Sequence, residues 1–188
     1  MAELKIGTHD SVTGEKGMWY CIPLIPFART QSKTLKEQYD AGCRLFDLRV
    51  KLHRGQWKCA HGIWITKRNA RDIFNELNTF KDIYVNITYE GDADHLEEFK
   101  TFIAELKAIC TNITWGYTAI KYGKDSNGIL TVKYDFLDYG KCPAHESKFL
   151  QLDGRSWHTY LPIPWLWKKL YYNKPEFSTE IFRLVDFL

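Results

Sequence analysis

A Thr8-His9-Asp10-Ser11 run closes the short apolar stretch near the amino end of this 188-residue chain. A second histidine, His61, follows "WKCA" and precedes Gly62, while "CRLFDLRVKL" between them carries Asp47 and Arg49 at alternate positions. Two imidazoles, a guanidinium and several carboxylates are the groups that acid–base cleavage of a phosphodiester requires. One imidazole takes the proton of the attacking hydroxyl, and the other protonates the departing oxygen. A guanidinium grips two phosphoryl oxygens and offsets the charge that builds on them. A buried carboxylate fixes the tautomer of the base and favours its protonated form. Each residue alone also has a structural reading: a histidine beside an apolar run is more often packing than chemistry, and an Arg–Asp pair in a strand is commonly a rim salt bridge.

Such residues act only if the chain brings them together. Near-continuous apolar, β-branched and aromatic runs predict strands at 43–52, 57–62, 82–90 and 181–188, with weaker ones at 5–9, 116–123, 128–136 and 148–153. Helical spacing occupies 32–42, with Ser32 as the expected N-cap and Gly42 as the stop, then 66–80 and 92–110. In the last of these, Leu96, Phe99, Phe102, Ile103 and Leu106 form one stripe. Alternating strands and helices predict an α/β fold with a parallel sheet. The Asp-Ser-Asn-Gly turn at 125–128 predicts a hairpin instead of a helical crossover. A full (β/α)₈ barrel takes roughly 250 residues. The expected architecture is therefore one domain over 1–188, a compact, irregular TIM-type barrel with shortened or missing helices. In such barrels functional groups sit at the carboxyl ends of strands. That rule selects His9, Asp10, Asp47, Arg49, His61, Thr88, Glu90, Lys133, Asp135, Asp153 and Asp186.

Composition narrows the classes. A formal net charge of +3, without a dense basic run, does not predict a nucleic-acid partner. No apolar stretch is long enough for a membrane-spanning helix. "MAELKIG" has no leader-like apolar region, so the expected compartment is cytoplasmic, or secreted or periplasmic if a leader was removed. The five cysteines form no zinc-spaced pair, and Cys43 and Cys59 are expected as small core residues. Aromatic residues reach 15%, and they concentrate in "GMWYCIPLIPF" (17–27) and "TYLPIPWLWKKLYY" (159–172). Both are candidate surfaces for peripheral membrane contact, since Trp and Tyr favour the interface and lysines favour anionic lipid. For the second, packing of Trp165, Leu166 and Leu170 onto the barrel is the competing account.

Taken in order, "GTHDS", "TQSKTLKEQYDAGCRLFDLRV" and "CAHG" resemble the X-domain of the phosphatidylinositol-specific phospholipases C in its bacterial form. The resemblance covers residues 4–62 and returns at "FRLVDFL". It implies that His9 is the general base on the inositol 2-hydroxyl, oriented by Asp186, and that His61 protonates the diacylglycerol oxygen. It implies that Arg49 stabilises the phosphoryl transition state while Asp10 assists the acid and holds the arginine. The implied product is a cyclic inositol phosphate. Eukaryotic relatives hold Ca²⁺ with a carboxylate where Arg49 stands, so no metal and no cofactor are expected. The implied partner is a phospholipid at a membrane surface, met by a monomer. Around the head group the pattern drifts. Thr88 stands where the bacterial enzymes carry a lysine, with Glu90 retained, and Asp153 lacks the aromatic two residues on. No arginine matches near Lys133 and Asp135. Thr88, Glu90, Lys133, Asp135 and Asp153 are the expected substrate-binding set. The rival readings are the same chemistry on another phospholipid or a glycerophosphodiester, and a non-catalytic lipid- or sugar-phosphate-binding module.

Overall fold

The structure, a computed structural model, describes residues 5–24, 29–122, 133–138, 177–178 and 182–185. The strand expected at 148–153, the turn at 125–128, the aromatic segment at 159–172 and Cys142 lie outside these residues.

The described strands are β1 (Lys5–Thr8), β2 (Cys43–His53), β3 (Gln56–His61), β4 (Trp64–Asn69), β5 (Ile83–Tyr89), β6 (Ile113–Tyr122), β7 (Lys133–Asp138), β8 (Phe177–Ser178) and β9 (Phe182–Val185). They run in the order β7-β6-β5-β2-β1-β9-β8, with β3 and β4 branching from the upper half of β2. The pairs β1–β2, β1–β9, β2–β5 and β5–β6 are parallel, so one α/β sheet carries the carboxyl ends of β1, β2, β5 and β6 at a single edge. The described strands trace an open path.

Among the described residues the α-helices are α1 (Leu35–Asp40), α2 (Ala70–Leu77) and α3 (Leu96–Ile109). α1 starts two residues later than expected. Thr34, not Ser32, is the cap, because Glu37 lies three residues on and closes a reciprocal capping box with it. Gly42 ends the turn at φ 94°, a conformation costly for any side chain. α2 covers only part of the 66–80 pattern. Residues up to Asn69 instead form β4, which pairs antiparallel with β3.

The core lies between the sheet and α2 and α3. Ile73, Phe74 and Leu77 of α2, and Phe99, Phe102, Ile103 and Leu106 of α3, meet Leu48, Val50, Val85 and Ile87 of the sheet. Cys43 and Cys59 are buried in it as expected. Tyr89 stacks on Phe99 at 4.7 Å between ring centroids, and Trp57 stacks on Phe102 at 4.9 Å. This aromatic layer presses α3 against the upper ends of β3 and β5, the strands that carry His61 and lead to Glu90. Phe99→Ala is expected to cost about 3–5 kcal/mol in denaturant unfolding, as large core truncations do. A cost under about 1 kcal/mol would show that α3 does not anchor the sheet.

Candidate active site

β1 ends at Thr8, and the next residues turn sharply. Asp10 adopts φ 47°, the left-handed region that few side chains tolerate. The turn is secured from several directions. The Ser11 hydroxyl donates to the Thr8 carbonyl at 2.8 Å and accepts the Asp47 N–H at 2.9 Å. Gln31 donates to the His9 carbonyl at 3.0 Å and Gln38 to the Ser11 carbonyl at 2.8 Å. The "TQSKTLKEQ" segment before and within α1 thus braces the turn that presents His9 and Asp10.

Around that turn a charged cluster assembles. One oxygen of the buried Asp10 carboxylate, Oδ2, lies 3.4 Å from His9 Nδ1 and 3.1 Å from His61 Nε2. Its other oxygen meets Arg49 Nη2 at 3.0 Å. The same Nη2 is 3.4 Å from His9 Nε2, and Arg49 Nη1 reaches Glu90 Oε1 at 3.5 Å. Asp47 Oδ2 lies 3.6 Å from His9 Nε2, while its Oδ1 accepts the Tyr117 hydroxyl at 3.1 Å. Glu90 also accepts from Lys121 Nζ at 2.5 Å and from the Gly62 N–H at 2.9 Å. Both imidazoles therefore border one carboxylate, and that carboxylate and His9 both border the guanidinium.

Burial governs the electrostatics. Burial alone would raise the Asp10 pKa, but the charges of Arg49, His61, His9 and Lys121 outweigh it and hold the carboxyl well below its usual range. Glu90 likewise resists burial through Arg49, Lys121 and His61, and falls to about 2. Asp47 goes the other way: burial raises its pKa despite His9 and Arg49. His9, Asp10 and Asp47 offer ligand atoms within 4.8 Å of one another, close enough for a metal ion. The Arg49 guanidinium lies against Asp10 and His9, so a second positive charge there would face direct repulsion.

Several expectations are corrected. His61 does not close a parallel barrel strand. β2 runs four residues past Arg49, turns at Arg54 and Gly55 (φ 51° and 72°), and β3 returns antiparallel. That hairpin brings His61 back to the level of the other groups. Lys133 and Asp135 do not end a strand either; they begin β7, which descends antiparallel to β6, and Asp135 is exposed. Thr88 is buried, in register with Arg49. Asp153 and Asp186 lie outside the described residues. Two contributors escaped the sequence pattern: Tyr117 and Lys121, both from β6. Lys121 near the end of an apolar strand was the available signal, and the strand-end rule would have selected it.

No protein-family model and no curated protein matches the chain. Solved structures similar to it include the phosphatidylinositol-specific phospholipase C from Listeria monocytogenes, at 18% identity and a TM-score of 0.47, covering 74% of this chain and 58% of that one. The enzyme of that name from Staphylococcus aureus, in its N254Y/H258Y form, gives 17% identity and a TM-score of 0.48, over 74% of this chain and 53% of that one. The chain thus spans between half and three fifths of the length of these neighbours.

A carboxylate whose folded pKa lies below its unfolded one stabilises the fold above the unfolded value and loses that contribution as pH falls through the folded value. For Glu90 this window runs from 4.5 down to about 2. Asp10 acts with the same sign, whereas Asp47, raised by burial, acts oppositely. Glu90→Gln is expected to flatten the loss of thermal stability across that window. Parallel melting curves for variant and wild type would refute the assignment.

Proposed function

We propose that this chain is a phosphodiesterase of the bacterial phosphatidylinositol-specific phospholipase C type, with residues 1–188 forming a single catalytic domain. The observation that carries this reading is the Asp10 carboxylate, shared by His9 and His61 and paired with Arg49. A binding module has no need of two imidazoles and a guanidinium around one carboxylate.

In the proposed reaction His9 removes the proton from a substrate hydroxyl next to the phosphate. The freed oxygen attacks phosphorus, the bond to the lipid oxygen breaks, and His61 gives that oxygen its proton. Arg49 binds the phosphoryl oxygens while charge builds on them. Asp10 holds Arg49 and the acid in place, and Asp186 is assigned to orient the base. The products are diacylglycerol and a cyclic inositol phosphate, which the same two imidazoles can open with water in exchanged roles. Glu90 and Thr88 are assigned to the head group. Asp135, exposed on β7, is left out of that set, and Lys133 and Asp153 keep only their sequence-based assignment. The partner is a phospholipid in a membrane, and the protein acts as a monomer without metal.

One observation favours a second substrate choice. Thr88 offers no charge, and the lysine beside Glu90 comes from position 121 on the neighbouring strand. A head group other than inositol, attacked by its own adjacent hydroxyl, fits the same chemistry.

His9→Ala and His61→Ala are each expected to lower phosphatidylinositol turnover by roughly 10²–10⁴-fold, the usual contribution of a positioned acid or base. Release of water-soluble phosphate from lipid vesicles measures this. Wild-type protein that binds such lipids yet turns over none of a panel of head groups would defeat the enzymatic reading. Activity is also expected to survive excess EDTA; a loss that calcium restores would overturn the role given to Arg49.

A further inference from the structure

Two strands away from β1 the sheet carries an irregularity that bears on His9. β5 and β6 pair in parallel, but the register steps: Val85 faces Trp115, whereas Ile87 faces Thr118. Gly116 and Tyr117 therefore stand opposite the single residue Asn86. A bulge of this kind adds a residue to one strand and re-aims a side chain out of the regular alternation. The Asn86 side chain secures it, its Oδ1 accepting the Tyr117 N–H at 3.2 Å.

The re-aimed group is a phenol, and it meets a carboxylate. Asp47 on β2 is in register with Asn86 on β5, so Asp47, Asn86 and Tyr117 lie level across three neighbouring strands. The Tyr117 hydroxyl donates to Asp47 Oδ1 at 3.1 Å, and both residues are buried. The other carboxylate oxygen, Oδ2, lies 3.6 Å from His9 Nε2. The terminal torsion of an aspartate is broad, so a bond to one oxygen decides where the other points. Burial and the Asp10 charge work against a charged Asp47, while His9, Arg49 and the Tyr117 hydroxyl work for it. Around His9 stand Asp10 from its own turn and Asp47 and Arg49 from β2. His61 of β3 lies across Asp10, and Glu90 with Lys121 lies beyond Arg49. Packing would ask only for the ring of Tyr117; the hydroxyl acts on Asp47.

We propose that Tyr117 is a positioning residue for His9 that acts through Asp47, its hydroxyl pinning one carboxylate oxygen so that the other faces the imidazole. This rests on the proposed phosphodiesterase reading, in which His9 takes a proton from the attacking hydroxyl. An imidazole that gains charge in the reaction is served by a carboxylate already in place, because nothing then has to reorganise as the charge develops.

Tyr117→Phe keeps the ring and removes the hydroxyl, and thermal melting checks that it is folded. It is expected to lower kcat on phosphatidylinositol vesicles roughly tenfold, about the worth of a hydrogen bond to a charged group, with KM within about twofold. The ring ¹⁵N resonances of His9, assigned by their absence from His9→Ala, are expected to move in the same variant. Asp47→Asn completes a double-mutant cycle. If Tyr117 acts through Asp47, adding Tyr117→Phe to Asp47→Asn moves the His9 resonances no further. Unmoved resonances in folded Tyr117→Phe, or an equal movement added on top of Asp47→Asn, overturn the proposal; so does a loss of turnover confined to KM. Wild-type protein that cleaves no lipid defeats the catalytic reading, yet the resonance cycle still decides the link from Tyr117 to His9, and the two failures are separable.

Discussion

A single buried carboxylate organises the centre of this molecule. Asp10 is 3% exposed, and a charge so removed from water is tolerable only with partners in good geometry. Its partners come from three elements: His9 beside β1, Arg49 in β2 and His61 at the end of β3. Placing Asp10 thereby places both imidazoles and the guanidinium relative to one another. The left-handed backbone at Asp10 is the local expense of this arrangement, and the hydrogen bonds of Ser11, Gln31 and Gln38 hold it there. Glu90 repeats the design one strand away. It ties Arg49, Lys121 and the Gly62 amide, so the turn after His61 is fixed to the far side of the site.

Among the described groups, three carboxylates, those of Asp10, Asp47 and Glu90, face two permanent cations, Arg49 and Lys121. In the proposed reaction an incoming phosphodiester adds another negative charge to this poorly hydrated place, which Arg49 and Lys121 must offset. Burial works toward neutralising Asp47 by raising its pKa, against the charges of His9 and Arg49. Tyr117, donating to Asp47, opposes that neutralisation and keeps the carboxyl oriented.

Much of this was legible from sequence where one residue type decides local structure. Continuous apolar runs gave the strands that β1, β2, β5 and β6 became, and the stripe from Phe99 to Leu106 gave the buried side of α3. The strand-end rule selected His9, Asp10, Arg49 and Glu90, and the structure brings their side chains together because β1, β2 and β5 are parallel. His61 was selected by the same rule but reaches the cluster by another route. Arg54-Gly55 is not a usual hairpin dipeptide, so the reversal of β3 was hidden, and only the register of the hairpin explains why His61 comes level with Arg49. Tyr117 and Lys121 were missed because their partners depend on how β6 aligns with β5. A register shift between Val85 and Ile87, where the Asn86 side chain accepts the Tyr117 amide, sets that alignment, and no local pattern announces it.

The pairing of β1 with β9 joins Lys5 to Phe182 and Thr8 to Val185, residues separated by almost the entire chain. His61 stands instead on a hairpin that closes over a few residues and needs nothing downstream of β4 to form. The hairpin and the β1–β9 pairing therefore belong to opposite ends of the folding sequence, since long-range closure is slow and local hairpins are fast. During synthesis the hairpin that carries His61 is in place early, whereas one side of the first strand waits for the last one to flank it. A carboxyl-trimmed chain keeps the cluster around Asp10, all of it upstream of β4, but leaves that side of β1 as an unpaired strand edge.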